Sequence, residues 1–241
     1  MALKFKYTVA PHLEEFNLPF PAFCATKPQY THFIGGGLIF SRSPNLPRGR
    51  DRPLDDSSDT LRVLLLQRAL HDAYPGAWEG PGGSCEDEDE TFLYGVAREV
   101  FEESGLRVSR FVELVATDEW VKVKPDEVIR AKKYTFLVEL EEGAPAVSAS
   151  VTGNGDEGKE GKEGNGVPAD KLADGRVDCR LAKRWEDLVV LDPEEHRDFE
   201  WATEEEVRIG VETGEGRYQS FAKHGPHILE GFRILKELAA K

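Results

Sequence analysis

The chain has 241 residues, of which 39% are hydrophobic and 32% are charged, and its formal net charge at pH 7 is -14. A chain of this length and composition can bury a sizeable core. The acidic balance argues against a nucleic-acid-binding protein, because such proteins hold the phosphate backbone with clustered Lys and Arg. It does not exclude an anionic small molecule that is held through metal ions.

The three cysteines, Cys24, Cys85 and Cys179, form no CxxC pair. They therefore indicate neither a disulfide framework nor a zinc site. The N-terminal residues lack an apolar run long enough for a signal peptide, and nowhere do 18 apolar residues follow one another. We expect a soluble, cytoplasmic protein with no membrane partner and no nucleic-acid partner.

Four prolines interrupt regular structure in residues 1–31, and a short strand is expected around Lys4–Val9. We expect this N-terminal extension to wrap the core, or to contribute to a homodimer contact, rather than to do chemistry. It would belong to a single domain that spans residues 1–241.

Two strands separated by a loop are predicted next. His32–Phe40 has a glycine-rich middle, where backbone can approach a neighbour closely, and no Gly-Lys-Ser/Thr follows to favour a phosphate loop. Ser41–Thr60 is rich in Pro, Arg, Asp and Ser and is predicted to be a loop. Leu61–Gln67 has the branched residues of a buried strand, and Arg68 follows at its end.

A helix predicted from Glu90 to Ser104 carries the most informative pattern. It places Glu99, Glu102 and Glu103 at positions i, i+3 and i+4, so three carboxylates that repel one another share one face. Hard oxygen ligands of this kind suit Mg²⁺ or Mn²⁺, usually together with substrate phosphates. An apolar stripe on the other side should pack on a core; it consists of Leu93, Val96, Ala97 and Val100.

Residues 82–106 resemble the signature of the Nudix hydrolases, which reads Gly, five residues, Glu, seven residues, Arg-Glu-apolar-x-Glu-Glu-x-Gly-apolar. Eight positions match in register: Glu90, Arg98, Glu99, Val100, Glu102, Glu103, Gly105 and Leu106. Ser84 stands where the signature has its first Gly, and Gly82 and Gly83 come just before it. We interpret this as a loop longer by one residue, which leaves open whether the carbonyl of Gly83 or that of Ser84 faces a metal.

The resemblance implies an α/β (α+β) fold of the Nudix type, an α/β/α sandwich with a mixed curved sheet between helices. It also implies a pyrophosphohydrolase that uses Mg²⁺ or Mn²⁺ as its cofactor. The substrate would be a small molecule with a diphosphate linkage, and a nucleoside diphosphate derivative is the default.

The same resemblance assigns roles to particular residues. Glu99, Glu102, Glu103 and the carbonyl of Gly83 would hold the metal. Glu102, Glu103 or a loop carboxylate would accept the proton from water; the loop candidates are Glu194, Glu195 and His196, with Glu195 first. Arg98 would pair with Glu90 or with a ligand carboxylate and fix its orientation.

Two further residues each have two interpretations. Arg68 is either a substrate contact, as the resemblance implies for the corner it occupies, or an ordinary surface charge. Val108–Thr117 and Lys133–Leu140 are predicted strands, and the segment between them holds Trp120 among basic residues. Trp120 would clamp a base and its phosphates, or the segment is an exposed hairpin, which is the favoured interpretation.

The remainder of the chain is predicted to contain an insertion, a strand pair and two helices. Residues 143–175 are poor in apolar residues and are expected to form a disordered insertion. Leu188–Leu191 and Asp198–Trp201 are predicted to form the strand pair. Thr203, with Glu206 three residues later, has the spacing of a capping box, and the last helix is expected over Pro226–Leu238.

Three other functions remain open. The chain would be a catalytically silent Nudix-fold module that binds nucleotides, a Nudix enzyme acting on a non-nucleotide diphosphate, or an acidic structural or calcium-binding protein. The intact trio of carboxylates disfavours the first, and the spacing of Gly-Gly and Arg-Glu disfavours the last. The sequence does not identify the substrate.

Overall fold

The computed structural model describes residues 4–42, 60–141, 186 and 188–240. Most of the loop predicted at Ser41–Thr60, and the whole insertion predicted at residues 143–175, lie outside these residues. Cys24 and Cys85 are free thiols. None of the helices in the described part of the chain is long and apolar enough to cross a membrane.

The described strands form a mixed sheet. Its main path runs β1-β6-β7-β2-β3-β4, with β5 paired to β2 and β8 paired to β3. Strands β1 and β6, and strands β2 and β7, are parallel, whereas the other pairs are antiparallel. The strands are β1 Thr8–Val9, β2 His32–Ser41, β3 Arg62–Arg68, β4 Trp78–Glu79, β5 Gly82–Ser84, β6 Val108–Lys124, β7 Glu127–Leu140 and β8 His196–Thr203.

Within the described ranges, four α-helices and one 3-10 helix accompany the sheet. The 3-10 helix is Pro11–Asn17, and the α-helices are α1 Phe20–Ala25, α2 Phe92–Ser104, α3 Glu204–Thr213 and α4 His224–Ala239. The predicted capping box is present at the start of α3, where Thr203 and Glu206 bond to each other's backbone N–H groups.

Helix α2 begins and ends at residues suited to those positions. The hydroxyl of Thr91 accepts a hydrogen bond from the backbone N–H of Tyr94 at 3.0 Å, which caps the N-terminus. Gly105 closes the helix in the left-handed conformation at φ 71°. The predicted apolar stripe on α2 is fully buried.

The core lies in two layers, one on each face of the sheet. Alternate residues of a strand point to opposite faces, and in β3 Leu64 and Leu66 join one hydrophobic cluster while Val63 and Leu65 join the other. Helix α2 and the N-terminal segment cover the first face. Helix α4 covers the second through Ile228, Phe232 and their neighbours. The α/β/α arrangement expected from the sequence is therefore confirmed.

The glycines in the middle of β2 allow α2 to pack close to the sheet. A Cβ atom on Gly35 would overlap the side chain of Val96, and one on Gly37 would lie 2.8 Å from Val100 Cγ2. These glycines thus permit the close approach of a neighbour that is predicted for this strand.

The strand predicted at Leu188–Leu191 is wrong. These residues form no strand; Leu188, Val189 and Leu191 pack against the α2-side cluster, and the N–H of Val190 donates to the carbonyl of Ser104 at 2.9 Å. Strand β8 pairs with β3 instead. The apolar run therefore reflects the partial burial of three residues against this cluster, while Val190 is exposed, rather than a place in the sheet.

The segment around Trp120 is the tip of one long hairpin. Strands β6 and β7 are antiparallel from Val108 to Lys124 and from Glu127 to Leu140, so residues 118–132 continue both predicted strands. The favoured interpretation, an exposed hairpin, is what the structure shows.

Candidate functional site

A polar cavity of about 500 Å³ lies beside the C-terminal half of α2. Its walls come from α2, from β5, from the residues after β3 and from the loop that precedes β8. Residues predicted for the site form much of this wall: Arg68, Gly83, Glu99, Glu103 and Glu195, with Glu194 beside them.

Glu103 is the most firmly held carboxylate of the cavity. It is only 4% exposed, and its Oε2 accepts a hydrogen bond from the backbone N–H of Gly82 at 2.6 Å. Burial raises the pKa of Glu103 well above its ordinary value; the Gly82 N–H opposes this rise, and the carboxylates of Glu79, Glu195 and Glu99 add to it. A cation in the cavity would offset both the energetic cost of the buried Glu103 charge and its repulsion by the neighbouring carboxylates.

Glu99 lies one turn earlier on α2 and borders β5. Burial raises the pKa of Glu99 to about 7, although Arg98 beside it lowers the value. A Cβ atom on Gly83 would overlap the Glu99 carboxylate, so a glycine is needed for this close approach. The carbonyl of Ser84 accepts a hydrogen bond from Arg98 Nη2 at 2.9 Å. Of the two carbonyls left open by the sequence, that of Ser84 is therefore already bound to a cationic side chain.

Arg98 connects the acidic face of α2 to the loop before the helix. It donates to both carboxylate oxygens of Asp89, at 3.0 and 3.1 Å, to Glu99 Oε1 at 2.9 Å and to Glu102 Oε2 at 2.8 Å. The predicted pairing with a ligand carboxylate is present. The other predicted partner, Glu90, is exposed, and the structure has Asp89, which is 5% exposed, in that role.

Glu102 is separated from the other two carboxylates of the predicted trio. Its side chain is 53% exposed, binds Arg98 one helical turn away, and does not line the cavity. The i, i+4 spacing that brings like charges together also brings Arg98 within reach of Glu102.

Glu195 approaches Glu103 from the loop before β8. Glu103, Glu195 and His196 each offer one ligand atom, and these atoms lie within 4.8 Å of one another. The turn that presents them is closed by Asp192, whose carbonyl accepts hydrogen bonds from the N–H groups of Glu195, at 3.2 Å, and His196, at 2.8 Å. Glu195 is exposed, whereas His196 is only 1% exposed.

Arg68 is not an isolated surface charge. Its guanidinium forms ion pairs with Asp72 and Glu79, its Nε donates to the carbonyl of Ala73 at 2.6 Å, and its side chain is 19% exposed at the wall of the cavity. Arg68 thus lies at the wall of the cavity, and whether it contacts a substrate stays a prediction.

Glu79 is a buried carboxylate that sequence analysis missed. It is 3% exposed and pairs with Arg68; His224 Nδ1 lies 3.5 Å from Glu79 Oε2, and His196 Nε2 lies 3.8 Å from Glu79 Oε1. Burial alone would raise the pKa of Glu79, but His196, Lys133, Arg68 and His224 together lower it to about 2. These partners come from different elements, so no local pattern in the sequence marks the cluster.

Trp120 lies elsewhere. Its side chain is 44% exposed on β6, and it is not among the residues that line the cavity. The arrangement gives Trp120 no observed part in the candidate site.

The donor set of the cavity suits a hard divalent cation. Two desolvated carboxylates with raised pKa values, a third that is exposed, and a neighbouring glycine backbone supply oxygen atoms. Such ions bind protein sites through a few carboxylates and leave other positions for water and phosphate. His196 does not line the cavity, but one of its ring nitrogens lies close to oxygens of Glu103 and Glu195, and neither ring nitrogen has a hydrogen-bond partner among the described residues.

Comparison with known proteins gives a family for part of the chain. Residues 53–160 match the model of the NUDIX domain, and this range includes α2 and β5. No curated protein matches the chain.

Several solved structures are similar in fold. A MutT protein from Methanosarcina mazei Go1 is 18% identical, with 85% of this chain and 95% of that chain covered and a TM-score of 0.42. An Ap4A hydrolase from C. elegans is 14% identical, with coverage of 86% and 99% and a TM-score of 0.43. The NUDIX domain of Shewanella oneidensis NrtR, complexed with ADP ribose, is 14% identical, with coverage of 89% and 97% and a TM-score of 0.46. Residues 53–160 of this chain are therefore assigned to the NUDIX domain family.

Proposed function

We propose that this chain is a divalent-metal-dependent pyrophosphohydrolase that cleaves a diphosphate linkage in a nucleoside diphosphate derivative or a similar small molecule. One observation carries the proposal: Glu99, Glu103 and Glu195 face one cavity of about 500 Å³, with Arg68 at its wall. The cavity thus combines carboxylates that could bind a metal ion with a guanidinium group that could bind a phosphate.

The proposed metal ligands are Glu99, Glu103, Glu195 and the carbonyl of Gly83. Glu102 is the remaining predicted ligand; it would join them only by giving up its bond to Arg98. A bound Mg²⁺ or Mn²⁺ would neutralise charge on the diphosphate and lower the pKa of a coordinated water. Ser84 is a poorer candidate than Gly83, because its carbonyl already accepts a hydrogen bond from Arg98.

Four side chains are proposed to take part in the reaction without serving only as metal ligands. Glu103 and Glu195 are the predicted proton acceptors that line the cavity, and a carboxylate that binds a cation through one oxygen retains the other to accept a proton. Arg68 would contact a phosphate oxygen of the substrate. Arg98 would keep the Glu99 carboxylate oriented by its bonds to Glu99 and Asp89.

Turnover of a panel of diphosphate compounds with Mg²⁺ or Mn²⁺ tests the proposal. Glu103→Gln removes the charge but keeps a side chain of the same shape, and we expect the rate to fall at least a hundredfold because a held metal ligand is lost. Glu88→Gln, an exposed carboxylate in the loop before α2, is the matched control and should keep the rate within about threefold.

Two results would contradict the proposal. If Glu103→Gln retains the rate within about threefold, the assigned mechanism is wrong. If the parent protein binds diphosphate compounds but releases no phosphorylated product from any of them, the chain is a binding module rather than an enzyme.

A further inference from the structure

His196 is a buried imidazole beside two of the proposed metal ligands. The residue is 1% exposed, and both Nδ1 and Nε2 lack a hydrogen-bond partner within the described ranges. A buried polar group without a partner costs about 1–3 kcal/mol, so native structures nearly always satisfy it with protein, water or an ion. The ring therefore stands next to the site with a nitrogen lone pair unused.

Among the described residues, no neighbour lies within hydrogen-bond distance of either ring nitrogen of His196, so neither the ring N–H nor the nitrogen lone pair is used. Its closest carboxylate on the core side is Glu79, whose Oε1 lies 3.8 Å from His196 Nε2, beyond hydrogen-bond distance. Glu79 already pairs with Arg68, and His224 lies on its other oxygen. Glu79 thus has two partners closer than His196, although the nearby imidazole helps to lower the pKa of Glu79.

On the cavity side, the ring meets carboxylates. One ring nitrogen, one oxygen of Glu103 and one oxygen of Glu195 lie within 4.8 Å of one another. Three atoms within 4.8 Å of one another lie within about 2.8 Å of a common centre, so an inward movement of at most about 0.7 Å by each atom would place all three about 2.1 Å from one ion. Glu195 is exposed and sits on a loop, so it can make that movement.

We propose that His196 is a nitrogen ligand of the cation held by Glu103 and Glu195, and that it makes this site prefer Mn²⁺ over Mg²⁺. The proposal rests on the proposed function, because it concerns the same cavity. Imidazole is a ligand for transition metals, whereas Mg²⁺ takes oxygen ligands almost exclusively. A site of two carboxylates and one imidazole therefore discriminates between ions that an all-oxygen site would bind alike.

Pulsed EPR of Mn²⁺ bound to the parent protein tests the proposal directly. Coordination by His196 should give a ¹⁴N coupling to Mn²⁺, and His196→Asn should abolish it because an amide would bind through oxygen. Calorimetry with Mn²⁺ alone and Mg²⁺ alone gives the second readout. We expect His196→Asn to weaken Mn²⁺ binding at least tenfold and to change Mg²⁺ binding by less than threefold.

His224→Asn is the matched control. His224 is another largely buried histidine next to Glu79, with Nδ1 3.5 Å from that carboxylate, but it does not belong to the group around Glu103. It should leave both the ¹⁴N coupling and the ratio of the two affinities unchanged. An equal loss of the Mn²⁺ preference in His224→Asn would assign the effect to Glu79 and overturn the proposal.

The remaining outcomes separate the two proposals. Absence of ¹⁴N coupling in the parent protein with Mn²⁺ bound overturns the role of His196 and leaves the proposed hydrolase intact; this result does not depend on whether the variant folds. Equal losses of Mn²⁺ and Mg²⁺ affinity in His196→Asn also overturn it. They would indicate that His196 positions the carboxylate ligands and does not itself bind the metal. If the parent binds neither ion, with or without a diphosphate compound, both proposals fail.

Discussion

Glu79 shows how a single buried charge links the core to the candidate site. Its folded-state pKa of about 2 lies below the ordinary value of 4.5 for Glu, so it stabilises the folded state above about pH 4.5, and this contribution is lost as the pH falls from about 4.5 to about 2. At 1.36 kcal/mol for each pKa unit, the contribution at neutral pH is roughly 3 kcal/mol.

We predict that Glu79→Gln lowers the free energy of unfolding by roughly 3 kcal/mol at pH 7, because Arg68 and Lys133 then lose their buried counter-charge. The deficit should shrink when both proteins are compared at pH 3.5. Urea denaturation at the two pH values measures it. Glu88→Gln, at an exposed position, controls for the loss of one negative charge. A deficit of the same size at both pH values would contradict the assigned pKa.

The spacing of residues predicts which face of a helix they share but not which contacts they make. Glu99, Glu102 and Glu103 could be placed together from sequence, yet Glu102 is largely exposed beside Arg98, and only the other two line the cavity. Glu79 could not be found in this way, because its partners come from β3, β7, β8 and α4. Contacts made between distant elements have no local periodicity to reveal them.

At the scale of elements, strand β5 and helix α2 meet so closely that the site depends on a residue without a side chain. A Cβ atom on Gly83 would overlap the carboxylate of Glu99. We predict that Gly83→Ala displaces this carboxylate and lowers Mg²⁺ affinity at least tenfold, as expected when a proposed ligand is moved. The melting temperature should change little, because the end of a Glu side chain can move.

Gly36→Ala is the control for this prediction. A Cβ atom on Gly36, in the strand paired with β5, would lie 3.4 Å from the carbonyl oxygen of Pro81 and 3.6 Å from Lys133 Cε, which are ordinary contacts. Calorimetry with Mg²⁺ compares the two variants with the parent. Equal affinity in the parent and Gly83→Ala would show that Glu99 need not occupy its present position.

Helices and strands with strong local sequence patterns could be predicted. A segment whose apolar residues pack on the core without forming a regular element could not. Helix α2 has an apolar stripe and Gly105 at its end, and the capping box of α3 is visible in two residues. Residues Leu188–Leu191 have the same apolar character as a strand, but they do not join the sheet; Leu188, Val189 and Leu191 are partly buried against the α2-side cluster, and Val190 is exposed. The apolar composition of this segment indicates contact with the core, but backbone hydrogen bonding determines whether a segment is a strand.

At the scale of the whole molecule, the N-terminal segment is part of the core that supports the site. It was expected to wrap the core, and Leu13, Phe16, Phe20 and Phe23 are in fact buried within the cluster on the α2 side. Phe23 is fully buried, and its ring stacks on that of Phe92, the first residue of α2, at 4.8 Å and 19°. The start of the helix that carries the proposed ligands thus rests on residues about 70 positions earlier in the chain.

This arrangement predicts that Phe23→Ala lowers the free energy of unfolding by about 3–5 kcal/mol, the usual range for removing a fully buried aromatic side chain. Leu18→Ala, at a position that is 39% exposed in the same segment, should lower it by less than about 1 kcal/mol. Chemical denaturation of the two variants and the parent measures both effects. If Phe23→Ala lowers the free energy of unfolding no more than Leu18→Ala does, the N-terminal segment covers the core without being part of it. A large difference between them means that the apolar face of α2 needs the N-terminal aromatic residues as part of its cover, because the sheet residues Phe33, Tyr134 and Phe136 contact Phe92 edge-on or at a tilt, whereas Phe23 stacks on it.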